Sequence, residues 1–216
     1  MIELIRQSLS RKGYRVFTRP YELNIVGLRA ASNIPNAFDD TLCVFFTDGT
    51  NWQFHSYPAT TDPGMNYLRQ PINGAGTAIL KPGQYENSYG IGLHRGLYTA
   101  LVQVRPVTVI RDFNKDGKLD FHSAKEESGM FGINIHRAEV HGVTKYVAGH
   151  SAGCQVFANV GDFNAFMTLC QQHRNIYGNK FTYTLLEQAD LPVAGAVAAR
   201  AGGPARYVHG PLPESR

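Results

Sequence analysis

The chain has 216 residues, 43% hydrophobic and 18% charged, which is enough apolar material to bury one sizeable core. Eleven Tyr, twelve Phe and one Trp exclude disorder over most of the length, because aromatic-poor, charge-rich composition is what keeps a chain unfolded. The net charge of +4 has no dense basic cluster behind it, and beyond residue 190 Arg200, Arg206 and Arg216 face only Glu214, so no nucleic-acid partner is expected. No apolar run approaches the roughly 20 residues of a membrane helix, and the opening MIELIRQSLSRKGYRVF lacks the apolar stretch and cleavage site of a secretory signal. A protein synthesised in the cytoplasm without a membrane span is the expectation.

In chain order, Ile2, Ile5 and Leu9 stand at helical spacing before Gly13, predicting a short N-terminal helix. Tyr21–Leu28 reads as a strand. Thr41–Thr47 and Trp52–Tyr57 flank the turn dipeptide Asp48-Gly49, the pattern of a hairpin, which puts Cys43 in a sheet. Thr77–Leu80, Tyr98–Val104 and Val107–Ile110 continue as short β units between Pro and Gly breakers. Gly132–His136 and Thr144–Ala148 are further β-like segments. Over Gly161–His173, Phe163, Phe166, Met167 and Cys170 share one helical face, which makes Cys170 core filler. Phe181–Leu186 is the last predicted strand. After Asp190 the composition turns to Ala, Gly and Pro, the signature of a flexible tail over 191–216. The expected fold is one mainly-β (α+β) domain over residues 1–190 with a few helices.

The chemistry concentrates in GINIHRAEVHGVTKYVAGHSAGCQVF, residues 132–157. A thiol attacks carbonyls well once an imidazole takes its proton, and His136 precedes Cys154 by eighteen residues, a separation suited to neighbouring strands joined by a loop. Gly153, lacking a Cβ, lets the chain turn tightly before the sulfur so that main-chain N–H groups can face an oxyanion. His141 and His150 are rival bases. His136 is preferred because an apolar strand fixes its ring. With three Cys, at least one thiol is free.

His136 followed by Ser151-Ala152-Gly153-Cys154 resembles the active-site signature of L,D-transpeptidase (YkuD-like) catalytic domains. The resemblance covers about 25 residues. It implies an L,D-transpeptidase-like β-sheet domain acting on peptidoglycan stem peptides through a Cys154 acyl-enzyme, with His136 as base, no catalytic cofactor, and Ser151 orienting the imidazole through its hydroxyl or carbonyl. Ala152 stands where the family has His, and Val156 where it has a carboxylate-binding Arg. The segments NIVGLR, GTAILKPGQY, FGINIHRA and SAGCQVFAN are also similar to phage and prophage proteins, which implies action at the cell wall or periplasm after delivery by a phage particle or lysis machinery. Water as acceptor gives a peptidase, and an amine gives a cross-linker.

Two patterns compete. Gly149-His150-Ser151-Ala152-Gly153 satisfies the G-x-S-x-G elbow of serine esterases, with Asp162 and His173, or Asp190 and His209, left to complete a triad. A papain-like arrangement needs Cys before His and has only His173 downstream. Separately, DFNKDGKLD at 112–120 reproduces the start of an EF-hand-type calcium loop: Asp112, Asn114 and Asp116 as donors, Gly117 for the turn, Lys118 through its carbonyl, and Asp120. Position twelve is Ser123 instead of Glu, so Glu126 or Glu127 would have to fold back. The same residues also suit an Asx-rich turn. A structural calcium, and a non-enzymatic calcium-stabilised wall-binding or virion protein with Cys154 buried, are the expectations that follow; no histidine spacing suggests zinc.

Overall fold

The computed structural model describes residues 1–192 apart from Asn33, Ser123 and Ala124. The tail expected from 191 onward therefore lies, from Val193, outside the described residues, as does position twelve of the calcium-like loop. The elements are α1 (Ile2–Arg11), β1 (Asn24–Arg29), β2 (Asp40–Thr47), β3 (Trp52–Thr60), α2 (Met65–Arg69), β4 (Thr77–Leu80), β5 (Gly83–His94), β6 (Tyr98–Gln103), β7 (Val107–Asp112), β8 (Glu126–Gly129), β9 (Ile135–Arg137), β10 (Gln155–Phe157), α3 (Val160–Tyr177) and β11 (Phe181–Glu187), then a 3₁₀ turn at Gln188–Asp190. The fold is mainly β with helices, as the sequence predicts.

Eight strands close a barrel in the order β1-β11-β5-β6-β9-β10-β3-β2, while β4, β7 and β8 form a separate three-stranded sheet. Closure removes the exposed strand edges that invite association. Most junctions are antiparallel; β1 with β11 and β9 with β10 are parallel. The β2–β3 hairpin turns at Asp48-Gly49 as predicted, where the Asp48 carboxylate accepts the Thr50 and Asn51 N–H groups at 2.9 and 2.8 Å.

Why the central strands read as unbroken apolar runs follows from what covers them. Leu42, Val44, Tyr183 and Leu185 face the main core with Tyr89, Leu101, Ile135 and Phe157, closed over by Phe163, Phe166 and Cys170 of α3. The alternate residues Val26, Cys43, Phe45 and Leu186 face outward and are covered by Ile5 and Leu9 of α1. Each aliphatic side chain buried there stabilises by about 1.5–3 kcal/mol. The second sheet does the same on a smaller scale: Ala78, Leu80, Val107 and Val109 join the main core, and Ile79 and Ile110 pack with Leu68 and Leu119 on the other side.

One polar cluster ties the two sheets together. Arg29, 2% exposed, pairs with Asp62 at 2.8 Å and donates to the carbonyls of Thr61 and Leu80 at 3.2 and 3.0 Å. Asp40 accepts the Thr61 N–H and hydroxyl at 2.6 and 2.8 Å and the Ala30 N–H at 2.7 Å. Burial raises both carboxyl pKa values while Arg29 opposes the rise. Removing one partner from a buried pair strands the other charge, so Arg29→Met is expected to destabilise the fold by about 3–5 kcal/mol. Arg29→Met/Asp62→Leu should recover part of that loss in urea unfolding. An unchanged midpoint for the single variant would show that this cluster does not join the sheets.

Candidate active site

The predicted strand Thr144–Ala148 is not one. Lys145 and Tyr146 are exposed, Val147 is buried, and Ala148 takes a φ of 44°, which breaks extended backbone. The segment from residue 138 to 154 is instead a crossover that returns the chain for parallel pairing. Asn36 fastens it, accepting the Val147 N–H through its carbonyl at 3.1 Å and the Ala148 N–H through its side chain. Gly64 donates to the Ser151 carbonyl at 2.8 Å; a Cβ on Gly64 would lie 2.1 Å from the Ala148 oxygen. Cys154 therefore stands immediately before β10.

The parallel register pairs Ile135 with Gln155 and His136 with Val156. Side chains at paired positions share a face, so Ile135 and Gln155 point inward, and His136 and Val156 outward. Gln155 is wholly buried: it accepts from the Tyr183 hydroxyl at 2.7 Å and donates to the carbonyls of Thr61 and Gly153 at 3.4 and 3.3 Å. That anchors the residue after Cys154. The Gln155 N–H donates to the Asn134 carbonyl at 2.9 Å, while the Asn134 N–H donates to the Cys154 sulfur at 3.4 Å. The sulfur in turn donates to the Gly132 carbonyl at 3.4 Å. It lies beside Asn134, two residues before His136, a strand rise of roughly 6.6 Å.

His136 is buried, 4% exposed, and its tautomer is fixed. Nδ1 lies 2.8 Å from the Arg137 carbonyl, which only accepts, so Nδ1 carries the proton and Nε2 keeps its lone pair. The Tyr98 hydroxyl donates to the same carbonyl at 3.1 Å. The His94 ring stacks on His136 with centroids 4.0 Å apart. Asn134 orients His94: its Oδ1 accepts the Gln103 N–H at 2.9 Å, which leaves its amide nitrogen to donate to His94 Nδ1 at 3.0 Å. Sequence reasoning missed His94, Tyr98 and Asn134. His94 ends a strand, β5, whose Gly90 and Gly92 mask the β pattern, and only the fold brings it to β9.

Electrostatics hold this pair in its neutral form. Burial, then the neighbouring His94 and Arg95, push the His136 imidazole down to about 3. Burial pushes the Cys154 thiol up to about 11, with the Asn134 N–H and Arg95 opposing. A preformed thiolate–imidazolium pair is thus not the resting state, and the sulfur's hydrogen-bond partners among the described residues are main-chain groups, with none to His136.

Ser151 does not orient the imidazole. Its hydroxyl donates to the Cys154 carbonyl at 2.8 Å and accepts the Gly153 N–H at 3.1 Å, its carbonyl serves Gly64, and it is wholly buried; the Arg137 carbonyl takes that role. The same engagement withholds Ser151 as an esterase nucleophile. His173 receives the Leu23 N–H at 3.1 Å and sits in the core, away from a triad role. Gly153 bends the chain at φ 120°, where a Cβ would lie 2.2 Å from the Ala78 carbonyl. With the Gly153 N–H committed to Ser151, the Cys154 N–H, without a partner among the described residues, is left as the donor for an oxyanion. His141 is exposed, and His150 pairs with Glu139 at 3.4 Å.

A groove of about 280 Å³ runs beside Ala152 between Tyr67, Thr77, Met130 and Phe131. In the calcium-like loop, Asp116 and Lys118 sit in Asx turns, and Glu126 and Glu127 do not fold back: they pair with Lys81 at 2.7 Å and Arg111 at 2.8 Å. Among the described residues no three His, Cys, Asp or Glu side chains converge as metal ligands, and no helix is long and apolar enough to cross a membrane.

Cys154 is half-buried, whereas Cys43 and Cys170 are buried, with the Cys43 thiol pushed up to about 12 by burial. Iodoacetamide is therefore expected to modify Cys154 first, at a rate that climbs about tenfold per pH unit from neutrality towards pH 10. A fast, pH-independent rate near pH 7 would instead reveal a preformed thiolate. No protein-family model, curated protein or solved structure matches this chain.

Proposed function

We propose that the protein catalyses cysteine-dependent acyl transfer on peptidoglycan stem peptides, as an L,D-transpeptidase or L,D-peptidase, through a Cys154 acyl-enzyme. The observation that carries this reading is the parallel β9–β10 junction: it brings a half-exposed sulfur alongside the strand that bears a buried imidazole with one nitrogen already committed as donor. The resemblance of His136 and Ser151–Cys154 to the L,D-transpeptidase signature supplies the substrate class.

In this mechanism the thiol leaves the Gly132 carbonyl and turns to His136 Nε2. The S–H proton passes to Nε2 as the sulfur bonds the substrate carbonyl carbon, so that charge develops only during attack. The Cys154 N–H meets the oxyanion. On collapse the C–N bond breaks and the imidazolium returns its proton to the departing amine. Water or a second amine then attacks the thioester carbon as His136 accepts its proton, the C–S bond breaks on collapse, and the imidazolium returns the proton to the departing Cys154 sulfur. Stacked neutral His94 steadies the ring, and the Arg137 carbonyl and Tyr98 hydroxyl stabilise the imidazolium. Val156 removes the family's guanidinium, and exposed Arg95, with no ion pair among the described residues, offers a substitute cation on the hairpin that carries His94. Delivery from a phage particle or lysis machinery remains part of the proposal.

A second reading, a non-enzymatic wall-binding or virion protein, is favoured by one observation: the sulfur rests as a neutral thiol bonded to main chain. Mass spectrometry after incubation with muropeptides separates the two. An acyl adduct on Cys154 is expected, lost in Cys154→Ala and slowed by about 10²–10⁴-fold in His136→Gln. If wild type gains no mass, or gains the same mass in Cys154→Ala, the binding-module reading replaces the enzyme. With neutral reactants, kcat/KM should be level from about pH 5 to 9, because the acid limb follows an imidazole that titrates near 3 and the alkaline limb a thiol near 11.

A further inference from the structure

We propose that the Asp112–Asp120 loop binds a calcium ion. Asp112 ends β7, paired with Thr77 of β4, and is 1% exposed. Its Oδ2 accepts the Asp120 N–H at 3.4 Å, which sets the carboxylate inside the turn, while its buried Oδ1 has no hydrogen-bond partner. Asp116 and Asp120 add charge of the same sign beside it. A desolvated carboxylate oxygen without a donor, on a turn whose two further carboxylates do not converge on it, leaves a place for a cation that would draw them together.

The chain around it offers what calcium takes. Asp112, Asn114, Asp116, the Lys118 carbonyl and Asp120 occupy alternate positions of one turn, closed by the Asn114 amide donating to Asp120 at 2.6 Å. Calcium replaces that bond, the Asn114 oxygen and the Asp120 carboxylate drawing onto the ion together with Asp112. Gly117 turns the chain at φ 78°, and Leu119 is buried against Leu68, Ile79 and Ile110, so the loop is held at its apolar residue while Asn114, Asp116 and Lys118 stay exposed. Calcium accepts irregular sets of six to eight oxygens, whereas magnesium demands a near-octahedral cage. Because Glu126 and Glu127 are engaged elsewhere, water fills the remaining positions, which sets affinity at the weak end, about 10⁻⁴–10⁻³ M. The ion would also brace one wall of the groove: a Cβ on Gly117 would stand 3.2 Å from Met65 and Arg69 of α2, and one on Gly76 2.3 Å from the Asp112 carbonyl. Tyr67 and Gly76 both line that groove.

The test uses the full chain stripped of metal with a chelator, titrated calorimetrically with calcium chloride or magnesium chloride and melted in calcium or in chelator. Expected are saturable calcium binding, a higher melting temperature in calcium, and weaker effects of magnesium. Exposed Asp116→Ala should weaken calcium binding at least about tenfold while melting like wild type in chelator, and Asp120→Asn should act in the same direction. Absence of binding heat with identical melting in calcium and chelator overturns the proposal. So does a calcium shift that persists undiminished in both variants, since the ion then sits elsewhere. Neither readout depends on the acyl-transfer reading.

Discussion

Everything distinctive about this molecule depends on two short strands running in the same direction. Parallel neighbours cannot be joined by a tight turn, so the chain between Arg137 and Gln155 must travel back along the barrel before it pairs. That return is what lifts Ser151, Gly153 and Cys154 to the barrel rim beside Asn134. Buried Gln155, held by Tyr183, Thr61 and Gly153, fixes the register. A slip of one residue would exchange inward Gln155 for outward Val156 and move the sulfur off its donor.

The acid–base properties of the site follow from burial more than from any charged partner. A buried imidazole stacked on His94 and close to Tyr98 resists protonation, and a part-buried thiol bonded to main chain resists ionisation. Such a pair protects itself from adventitious alkylation and oxidation, which act on thiolates. Under the proposed acyl transfer, reactivity would come from a bound carbonyl, whose developing negative charge would favour proton transfer to His136 during attack.

Much of the scaffold was legible from local signals. The DG hairpin, the α3 face and the apolar β2 run each declare themselves within about ten residues. What escaped reading had nonlocal causes. β5 carries polar residues and three glycines, and beyond its pairing with β11 its backbone meets Asn179, which bonds Ile91 on both backbone groups at 2.7 and 3.0 Å. Residues 144–148 imitate a strand in composition, yet hydrogen bonds to Asn36 decide their path. The site divides in the same way. Spacing singled out His136 and Cys154 as candidates, and could not find His94, which enters through pairing between distant strands, or the bond to the adjacent Arg137 carbonyl.

Three glycines near the rim, Gly64, Gly76 and Gly153, each press main chain against main chain, at Ala148, Asp112 and Ala78. No rotamer change can relieve a clash with a carbonyl, so these seams tolerate no larger residue. Ile72 and Met130, exposed on the groove beside them, carry no such restriction. Sequence variation in this region would accordingly find its freedom in that outer lip, around a chassis whose inner joints are sterically frozen.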